Sequence, residues 1–417
     1  MRIAIIGAGV SGLVAAHLLD AAHEVTVFEA GAHAGGHTNT IRVDTPHETH
    51  HVDTGFIVFN DRNYPNFERL LVRLGVASQP STMTFSVSDG HGDFEYSGGS
   101  PNGLFAKRAH LVTPWFHRMI VDMTRFNRAA RALLSTEAPD STRPSLGHWL
   151  EQQRFSRPFI DRLIVPQASA VWSADPHQLW SFPARFLAEF FDNHGMLSFR
   201  GRPRWRTVRG GSARYVEALL QRFSGRVLLR TPVRAVARDR DGIVVTPADG
   251  EAQRFDEVVL ATHSDQALAM LQDPSSAEGE LLSAIPYQTN EAVLHTDVRM
   301  LPRRRRAWAS WNYHLMDVPG DRTTVTYHMN RLQSLDAERD FCVTLNRTAE
   351  IDPARVIRTI QYAHPVYTAA GARAQRRHAE INGRDRVHFC GAYWGWGFHE
   401  DGVLSALRVA ERFGARL

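Results

Sequence analysis

The chain has 417 residues, more than one hydrophobic core usually supports, so we expect two domains. Its 43% apolar and 22% charged residues exclude a largely disordered chain, and 48 Lys+Arg against 44 Asp+Glu leave no basic excess that would favour nucleic acid. Two cysteines exclude a disulfide framework and fit no zinc spacing, and no apolar stretch approaches the roughly 18 residues of a membrane span. We therefore expect a cytoplasmic protein with neither a metal nor a nucleic acid as partner.

The first elements in chain order predict a βαβ unit. Residues 1–6 form an apolar run typical of a buried parallel strand, residues 11–19 have apolar side chains at helical spacing, and residues 24–29 predict a second buried strand. A GxGxxG motif, Gly7 to Gly12, lies between the first strand and the helix. The unit therefore predicts a dinucleotide-binding fold that begins at the first residue.

Each residue of this motif has a physical task. Gly7 permits the tight turn, Gly9 lets the backbone and Ser11 approach a pyrophosphate at the helix N terminus, and Gly12 allows the helix to pack closely on the strand. Glu29, at the end of the second strand, can accept hydrogen bonds from ribose hydroxyls. An acidic residue at this place favours FAD or NAD over NADP.

The residues after Glu29 favour FAD. The stretch from Ala30 to Thr38 resembles the second glycine motif of the flavin-containing amine oxidase and phytoene desaturase superfamily, in which paired glycines let the chain pass close to the flavin. That superfamily usually has an arginine after the glycine pair, where this chain has His37. Residues 53–56 resemble its acidic turn facing the flavin ring. The resemblance implies cofactor contacts from Ala30, Gly35, Gly36, His37, Thr38, Asp53, Gly55 and Phe56.

Residues 47–51 contain a literal HExxH string. Such a string binds zinc when a helix places both histidines on one face. Pro46 precedes it and residues 52–59 are strand-like, so we expect no zinc site.

The middle of the chain predicts two kinds of structure. Residues 104–200 are helical and aromatic in pattern, whereas residues 226–263 predict short strands with a hairpin at Asp241-Gly242, and further strands are expected around 292–298 and 322–329. The superfamily resemblance implies that Val233 meets the adenine. Cations and bulky apolar residues alternate in residues 105–119, which suggests a peripheral contact with the inner membrane besides the alternative of a helix that caps the substrate domain.

The C-terminal stretch resembles the last FAD motif of the superfamily. A predicted strand at 387–391 ends at Gly391, and Glu400, Asp401, Gly402 and Val403 lead into a predicted helix that continues to residue 413. The resemblance implies that the amides opening this helix meet the flavin, where the helix dipole stabilises the anionic reduced ring. Trp394, Trp396 and Phe398 are candidates for the wall of an apolar pocket.

These motifs together imply a fold class and a domain division. The fold class is α/β: a discontinuous, Rossmann-like (doubly wound, three-layer) FAD-binding domain with a second, α+β substrate domain. We assign residues 1–70, 201–285 and 385–417 to the first and residues 71–200 and 286–384 to the second. Residues 295–297, 307–313 and 393–402 also resemble a bacterial branch of FAD-dependent oxidoreductases linked to methylated or cyclopropane fatty acyl chains.

One departure from the superfamily bears on the reaction. Its amine oxidases usually have a lysine near the flavin N5, in a strand corresponding to residues 290–294, but this chain has Lys107 as its single lysine. The absence of a lysine from this strand favours desaturation or a redox-neutral reaction over amine oxidation. His399 is the first candidate for acid/base work and His364 the second. FAD is expected to be noncovalent, since neither cysteine lies in a motif resembling an attachment site.

We therefore expect oxidation or desaturation of an apolar substrate, with a lipid acyl chain favoured, by hydride transfer to flavin N5. Three alternatives stay open: an amine or amino-acid oxidase, a redox-neutral flavin isomerase, and a partner-binding module without chemistry.

Overall fold

The computed structural model describes residues 1–136, 144–172, 178–198, 201–317 and 322–417. In chain order its strands are β1 (Arg2–Ile6), β2 (Glu24–Phe28), β3 (Thr40–Asp44), β4 (Thr49–Asp53), β5 (Phe59–Asn60), β6 (Ser78–Pro80), β7 (Phe85–Ser88), β8 (Glu95–Ser97), β9 (Trp205–Val208), β10 (Arg226–Leu228), β11 (Val233–Asp239), β12 (Gly242–Pro247), β13 (Gln253–Phe255), β14 (Glu257–Leu260), β15 (Tyr287–His295), β16 (Trp311–His314), β17 (Val325–His328), β18 (Cys342–Leu345), β19 (Val356–Pro365) and β20 (Val387–Phe389).

The α-helices are α1 (Val10–Leu19), α2 (Pro65–Leu74), α3 (Pro101–Leu104), α4 (Pro114–Ser135), α5 (Leu146–Gln152), α6 (Arg157–Phe159), α7 (Val165–Trp172), α8 (Ala184–Asn193), α9 (Ala213–Arg222), α10 (Ser264–Met270), α11 (Ser276–Ser283), α12 (Met329–Leu332), α13 (Ala369–Arg376) and α14 (His399–Arg412).

A parallel sheet carries the first half of the fold. Its order is β10-β2-β1-β14-β20, with β1 paired to β2 on one side and to β14 on the other. Ile3 and Ile5 pack with helices α1, α2, α9 and α14, whereas Ala4 and Ile6 pack with the small sheet β11–β13 and with α10 and α11. Burial on both faces explains the continuous apolar run. The result is the doubly wound, three-layer arrangement that the sequence predicted.

Three separate stretches of chain supply this sheet: residues 2–28, 226–260 and 387–389. The chain that forms this sheet is therefore discontinuous: β14 and β20 are hydrogen-bonded neighbours, although more than a hundred residues separate them in the sequence. The predicted domain boundary between residues 70 and 71 falls inside α2. The predicted boundaries after residues 285 and 384 fall in the connections before β15 and β20.

A seven-stranded sheet carries the second half, in the order β19-β15-β18-β17-β16-β7-β8. Its pairs are antiparallel except β16 with β7. Helices α4–α8 lie within the stretch predicted to be helical, and their aromatic side chains share one core with this sheet. The strands expected near 292 and 322 are β15 and β17. The ten residues of β19 were not predicted, because their side chains are mostly half-exposed and lack a clear apolar alternation.

The HExxH string lies in the turn between β3 and β4 and in β4 itself, not on a helix. Its histidines therefore do not share a helical face. Within the described ranges there is no group of three or more His, Cys, Asp or Glu side chains placed to hold a metal ion. None of the helices described is long and apolar enough to cross a membrane.

Candidate cofactor and substrate site

A cavity of about 2360 Å³ is lined by the carboxyl ends of β1 and β2, by β19 and by helices α4, α7 and α8. Pockets for a single small ligand usually measure roughly 300–1,000 Å³. The cavity therefore has room for a dinucleotide and a second molecule together, and the carboxyl ends of parallel strands are where α/β sheets bind nucleotides.

The glycines of the first turn fit a pyrophosphate. Gly7 has φ +104°, and Gly12 packs so tightly that a Cβ there would lie 1.9 Å from the Gly7 carbonyl oxygen. A Cβ at Gly9, in contrast, would meet no described atom within 4 Å, and Gly9 lines the cavity with Ser11. The open side of Gly9 thus leaves space for a ligand at the N terminus of α1, where unpaired amides favour phosphate.

Glu29 lines the nucleotide end of this cavity with Ala30 and Val233. Its two carboxylate oxygens accept hydrogen bonds from the amides of Ala8 (2.8 Å) and Gly31 (2.6 Å). These bonds fix the carboxylate beside the glycine turn. Its remaining lone pairs can accept from ribose hydroxyls.

The second glycine pair lies against the first. A Cβ at Gly36, which has φ +58°, would lie 3.2 Å from the Gly9 Cα. The neighbouring His37 ring stacks on Tyr362 (4.9 Å between centroids) and meets His364 edge-on (5.3 Å). Burial and the nearby histidines lower the pKa of His37 well below its ordinary value. A neutral imidazole thus stands where the superfamily usually has a permanent positive charge.

Gly35, Gly36, His37, Gly55, Phe56 and Gly391 all line the cavity, whereas Gly12, Thr38, Asp53 and residues 400–403 do not. Asp53 is fully buried and accepts hydrogen bonds from Thr40 Oγ1 (2.6 Å), Ser212 Oγ (2.7 Å) and Gln333 Nε2 (2.9 Å). Burial raises the pKa of this carboxyl group to about 6. The Asp53 side chain therefore supports the turn at Gly55 and Phe56 from behind.

Helix α14 begins at the cavity, where Phe398 and His399 line it. The Glu400 carboxylate turns away and accepts from the amides of Asn66 (3.1 Å) and Phe67 (2.9 Å) at the start of α2. The positive end of the α14 dipole consequently faces the cavity, although Glu400 itself is bound to another helix.

The next residues support the position of α14. Asp401 accepts from the amide of Phe398 (2.9 Å) and so caps the helix. A Cβ at Gly402 would lie 2.7 Å from Val10 Cγ1, which explains the close packing of α14 on α1, and Val403 is fully buried in the same core. These side chains hold the helix end in place and do not reach the cavity.

His399 takes part in a buried hydrogen-bond triangle. Its Nε2 lies 2.9 Å from Thr38 Oγ1 and 3.0 Å from Tyr215 Oη, and those two hydroxyl groups are 2.5 Å apart. The imidazole stacks on Phe56 at 3.5 Å between ring centroids. Burial lowers the pKa of His399 to about 3, so its ring is neutral. These contacts favour a positioning role over the acid/base role expected from the sequence.

His364 is engaged as well. Asn346 donates to the Asn290 amide oxygen (2.8 Å), which leaves the Asn290 amide nitrogen to donate to His364 Nδ1 (3.0 Å). The ring proton of neutral His364 therefore lies on Nε2. Burial lowers its pKa to about 4. His364 lines the cavity, and the acid/base role expected of it from the sequence stays a prediction.

The superfamily's lysine has no substitute at this place. The expected strand is β15, which contributes the fully buried Asn290, and Lys107 instead donates to the Asp93 carbonyl oxygen (2.6 Å) outside the cavity lining.

Sequence reasoning missed several lining residues. Tyr362, on the unpredicted strand β19, shares a hydrogen bond with Thr54 Oγ1 (2.8 Å) and accepts one from Asn39 (3.1 Å). No motif indicated it, since its place depends on the pairing of β19 with β15. Of the three aromatic candidates near the C terminus, Trp396 and Phe398 line the cavity and Trp394 does not.

The family model described as flavin containing amine oxidoreductase matches residues 10–302. An L-amino-acid oxidase from Siganus canaliculatus is 25% identical over 312 residues, which cover 71% of this chain and 56% of that protein. The chain thus spans little more than half the length of this relative.

Two solved structures share the fold over nearly the whole chain. Cyclohexylamine oxidase from Brevibacterium oxydans IH-35A has a TM-score of 0.71 at 17% identity and covers 99% of both chains. The CLA-producing fatty acid isomerase from P. acnes has a TM-score of 0.68 at 15% identity and covers 99% of this chain and 98% of that one. At such identities the likeness concerns the fold.

Proposed function

Since the chain belongs to the flavin-containing amine oxidoreductase family, we propose that it is an FAD-dependent oxidoreductase that oxidises or desaturates an apolar substrate, with the acyl chain of a lipid favoured. The family match confirms the superfamily resemblance and, at the level of the family, the expected FAD cofactor and oxidoreductase class. The substrate is the part that we propose.

The observation that carries this proposal is the lining of the cavity beyond its nucleotide end. Helices α4, α7 and α8 and the seven-stranded sheet line it with mostly apolar and aromatic side chains. Among the described lining residues Glu29 is the single carboxylate, and it lies beside the glycine turn. A cationic amine would therefore find no counterion here, whereas an apolar chain would bury its surface at about 25 cal/mol per Å².

FAD, when bound, supplies the acceptor for a hydride. The chain contributes position and environment. Gly9, Ser11 and Glu29 would hold the nucleotide half, and the amides that open α14 stabilise negative charge at the cavity end of that helix. The apolar walls exclude water and hold the substrate near the flavin edge. Neutral His364 and His399 add no charge to the lining, and His399 positions Thr38 and Tyr215.

Anaerobic titration of the FAD-loaded protein tests the proposal. Unsaturated and saturated fatty acyl esters are expected to bleach the oxidised flavin band, while alkyl amines and L-amino acids do not. Bleaching by amines would identify an amine oxidase instead. Conversion of an unsaturated ester without net bleaching would identify a redox-neutral isomerase, and an unchanged flavin with every compound would refute the dehydrogenation.

We further propose that the protein contacts a membrane beside an edge of this cavity. Leu111 and Val112 are 51% and 83% exposed at the end of a 3₁₀ turn, and Arg108 and Arg118 are exposed in the same stretch of chain. His117, one turn into α4, lines the cavity and is exposed, so the cavity reaches solvent close to this apolar pair. Apolar side chains flanked by cations suit an anionic lipid surface.

Liposome flotation at low salt tests the contact. The wild-type chain is expected to float with anionic vesicles, and the pair Leu111→Asp and Val112→Asp to abolish flotation. Val72→Asp is the matched control, because Val72 is 82% exposed on α2 and does not line the cavity. Failure of the wild-type chain to float would rule out the membrane contact while leaving the oxidoreductase proposal standing.

A further inference from the structure

Several buried hydrogen-bond donors in the cavity lining lack an acceptor, among them those of Tyr367 and Trp172. Tyr367 and Trp172 are 6% and 5% exposed, and both line the cavity. Neither the Tyr367 hydroxyl group nor the Trp172 indole nitrogen has a hydrogen-bond partner among the described residues. The two rings lie 6.2 Å apart between centroids, so the donors belong to one aromatic cluster.

This cluster adjoins the start of α14. A Cβ at Gly397 would lie 2.4 Å from the Tyr367 hydroxyl oxygen, which places that oxygen against the backbone between Trp396 and Phe398. Phe190 connects the two sides, since its ring lies 4.7 Å from Trp172 and 5.5 Å from Phe398. The donors are therefore near the cavity segment that the dipole of α14 faces.

A buried polar group without a partner costs about 1–3 kcal/mol, and most such groups in folded proteins are paired. Two of them in one aromatic cluster of the lining indicate that a ligand supplies the acceptor. We propose that Tyr367 and Trp172 form a subsite for a neutral oxygen acceptor of the substrate, such as the carbonyl oxygen of an ester, thioester or ketone. This rests on the proposed function and names the substrate class more closely.

The charge of the surroundings selects the acceptor. Lining residues from 163–198 and 360–399, as far as these stretches are described, include no Asp, Glu, Lys or Arg. Within these stretches a buried carboxylate would have no cationic partner, since the arginines of the lining are Arg202, Arg204, Arg206 and Arg234. An ammonium group has no lone pair to offer, and a neutral amine has one. A carbonyl oxygen has two lone pairs and can serve both donors. Burial also raises the pKa of Tyr367 well above its ordinary value, so the hydroxyl group stays protonated.

Isothermal titration of the FAD-loaded protein with methyl octanoate, octanoate and octylamine tests the subsite. The ester is expected to bind most tightly. Tyr367→Phe and Trp172→Phe are each expected to weaken ester binding about tenfold, which corresponds to one hydrogen bond at 1.4 kcal/mol, and to leave octylamine binding unchanged.

Tyr96→Phe is the matched control. Tyr96 also lines the cavity, but its hydroxyl group already donates to the Arg162 carbonyl oxygen (2.9 Å). The ratio of ester to octylamine affinity should therefore stay at its wild-type value in this variant.

Three results would overturn the subsite: ester affinity unchanged in both variants, tighter binding of octanoate or octylamine than of the ester, or a changed visible flavin spectrum in ligand-free Tyr367→Phe. The last would assign the acceptor to FAD itself. The heat of binding does not depend on flavin reduction. If ester binding needs both donors but esters do not bleach the flavin, the subsite stands and the dehydrogenation is refuted. If esters bleach the flavin but both variants bind them as tightly as the wild type, the dehydrogenation stands and the subsite is refuted.

Discussion

Gly9 and Gly12 lie three residues apart but have opposite surroundings. A side chain at Gly9 would project into the cavity, and its φ of −72° suits any residue. Gly9→Val is therefore expected to fold normally and to lose FAD, because the side chain occupies the place of the pyrophosphate. Flavin content per protein after purification, with circular dichroism for the fold, checks this.

Gly12→Val is the comparison variant. Its Cβ would collide with the Gly7 carbonyl oxygen, so this substitution should destabilise the helix–strand contact and reduce soluble protein. Full flavin content in Gly9→Val would show that the pyrophosphate binds elsewhere.

His399 allows a second test at the residue scale. Burial lowers its folded-state pKa to about 3, so we expect the ring to stay neutral from pH 6 to pH 8 and its titration to leave the rate in that range unchanged. His399→Phe is expected to retain FAD and the shape of the pH profile of anaerobic flavin reduction. Loss of the Nε2 partner of Thr38 and Tyr215 should lower the free energy of unfolding by about 1–3 kcal/mol.

Stopped-flow reduction and guanidinium denaturation of the variant measure these two effects. A reduction rate at least about tenfold lower with an altered pH profile would instead identify His399 as an acid/base group.

At the scale of elements, Asp53 joins strand β4 to β3, to the start of α9 and to the segment after α12. Its pKa is raised from 3.8 to about 6, so between these values the folded state holds a proton that the unfolded state has lost. The contribution of Asp53 to stability therefore falls as pH rises from about 4 to about 6, by about 3 kcal/mol, and is constant above.

Asp53→Asn replaces the titrating carboxyl group with an amide that does not titrate over this pH range. The difference in free energy of unfolding between wild type and variant should decline over pH 4–6 in denaturation series at constant ionic strength. Asp44→Asn, exposed on the neighbouring strand β3, is the control without that decline. A difference independent of pH would contradict the raised pKa.

For the whole molecule, the placement of both cysteines predicts noncovalent FAD. Cys342 in β18 and Cys390 after β20 are fully buried, burial raises the pKa of each thiol, and neither lines the cavity. Acid precipitation is expected to leave the flavin in the supernatant, and Cys342→Ser with Cys390→Ser to retain it. Flavin in the pellet of the wild-type protein would require a linkage through another side chain.

The nucleotide half of the molecule could be predicted because its requirements are local. A tight turn, a close backbone approach and a buried parallel strand each demand particular residues within a few positions, as at Gly7, Gly9 and the run from Ile3 to Ile6. Helices among residues 104–200 and the hairpin at Gly242 also follow from short-range patterns. These features determined the fold class and a dinucleotide cofactor, and the resemblance of residues 30–38 to the superfamily's second glycine motif implied FAD.

The substrate half was decided by the tertiary structure, because its lining comes from segments far apart in the chain. Strand β19 has little apolar alternation, yet its pairing with β15 brings Tyr362 and His364 to the cavity. Asp53 and Glu400 were identified from sequence motifs. The hydrogen bonds that direct their side chains away from the cavity come from the distant residues Ser212 and Asn66. Likewise, the packing of α7 beside residue 367 brought the unpaired donors of Trp172 and Tyr367 into one cluster. Adjacent residues determine local backbone geometry, whereas side-chain direction, burial and protonation depend on which distant segments come together.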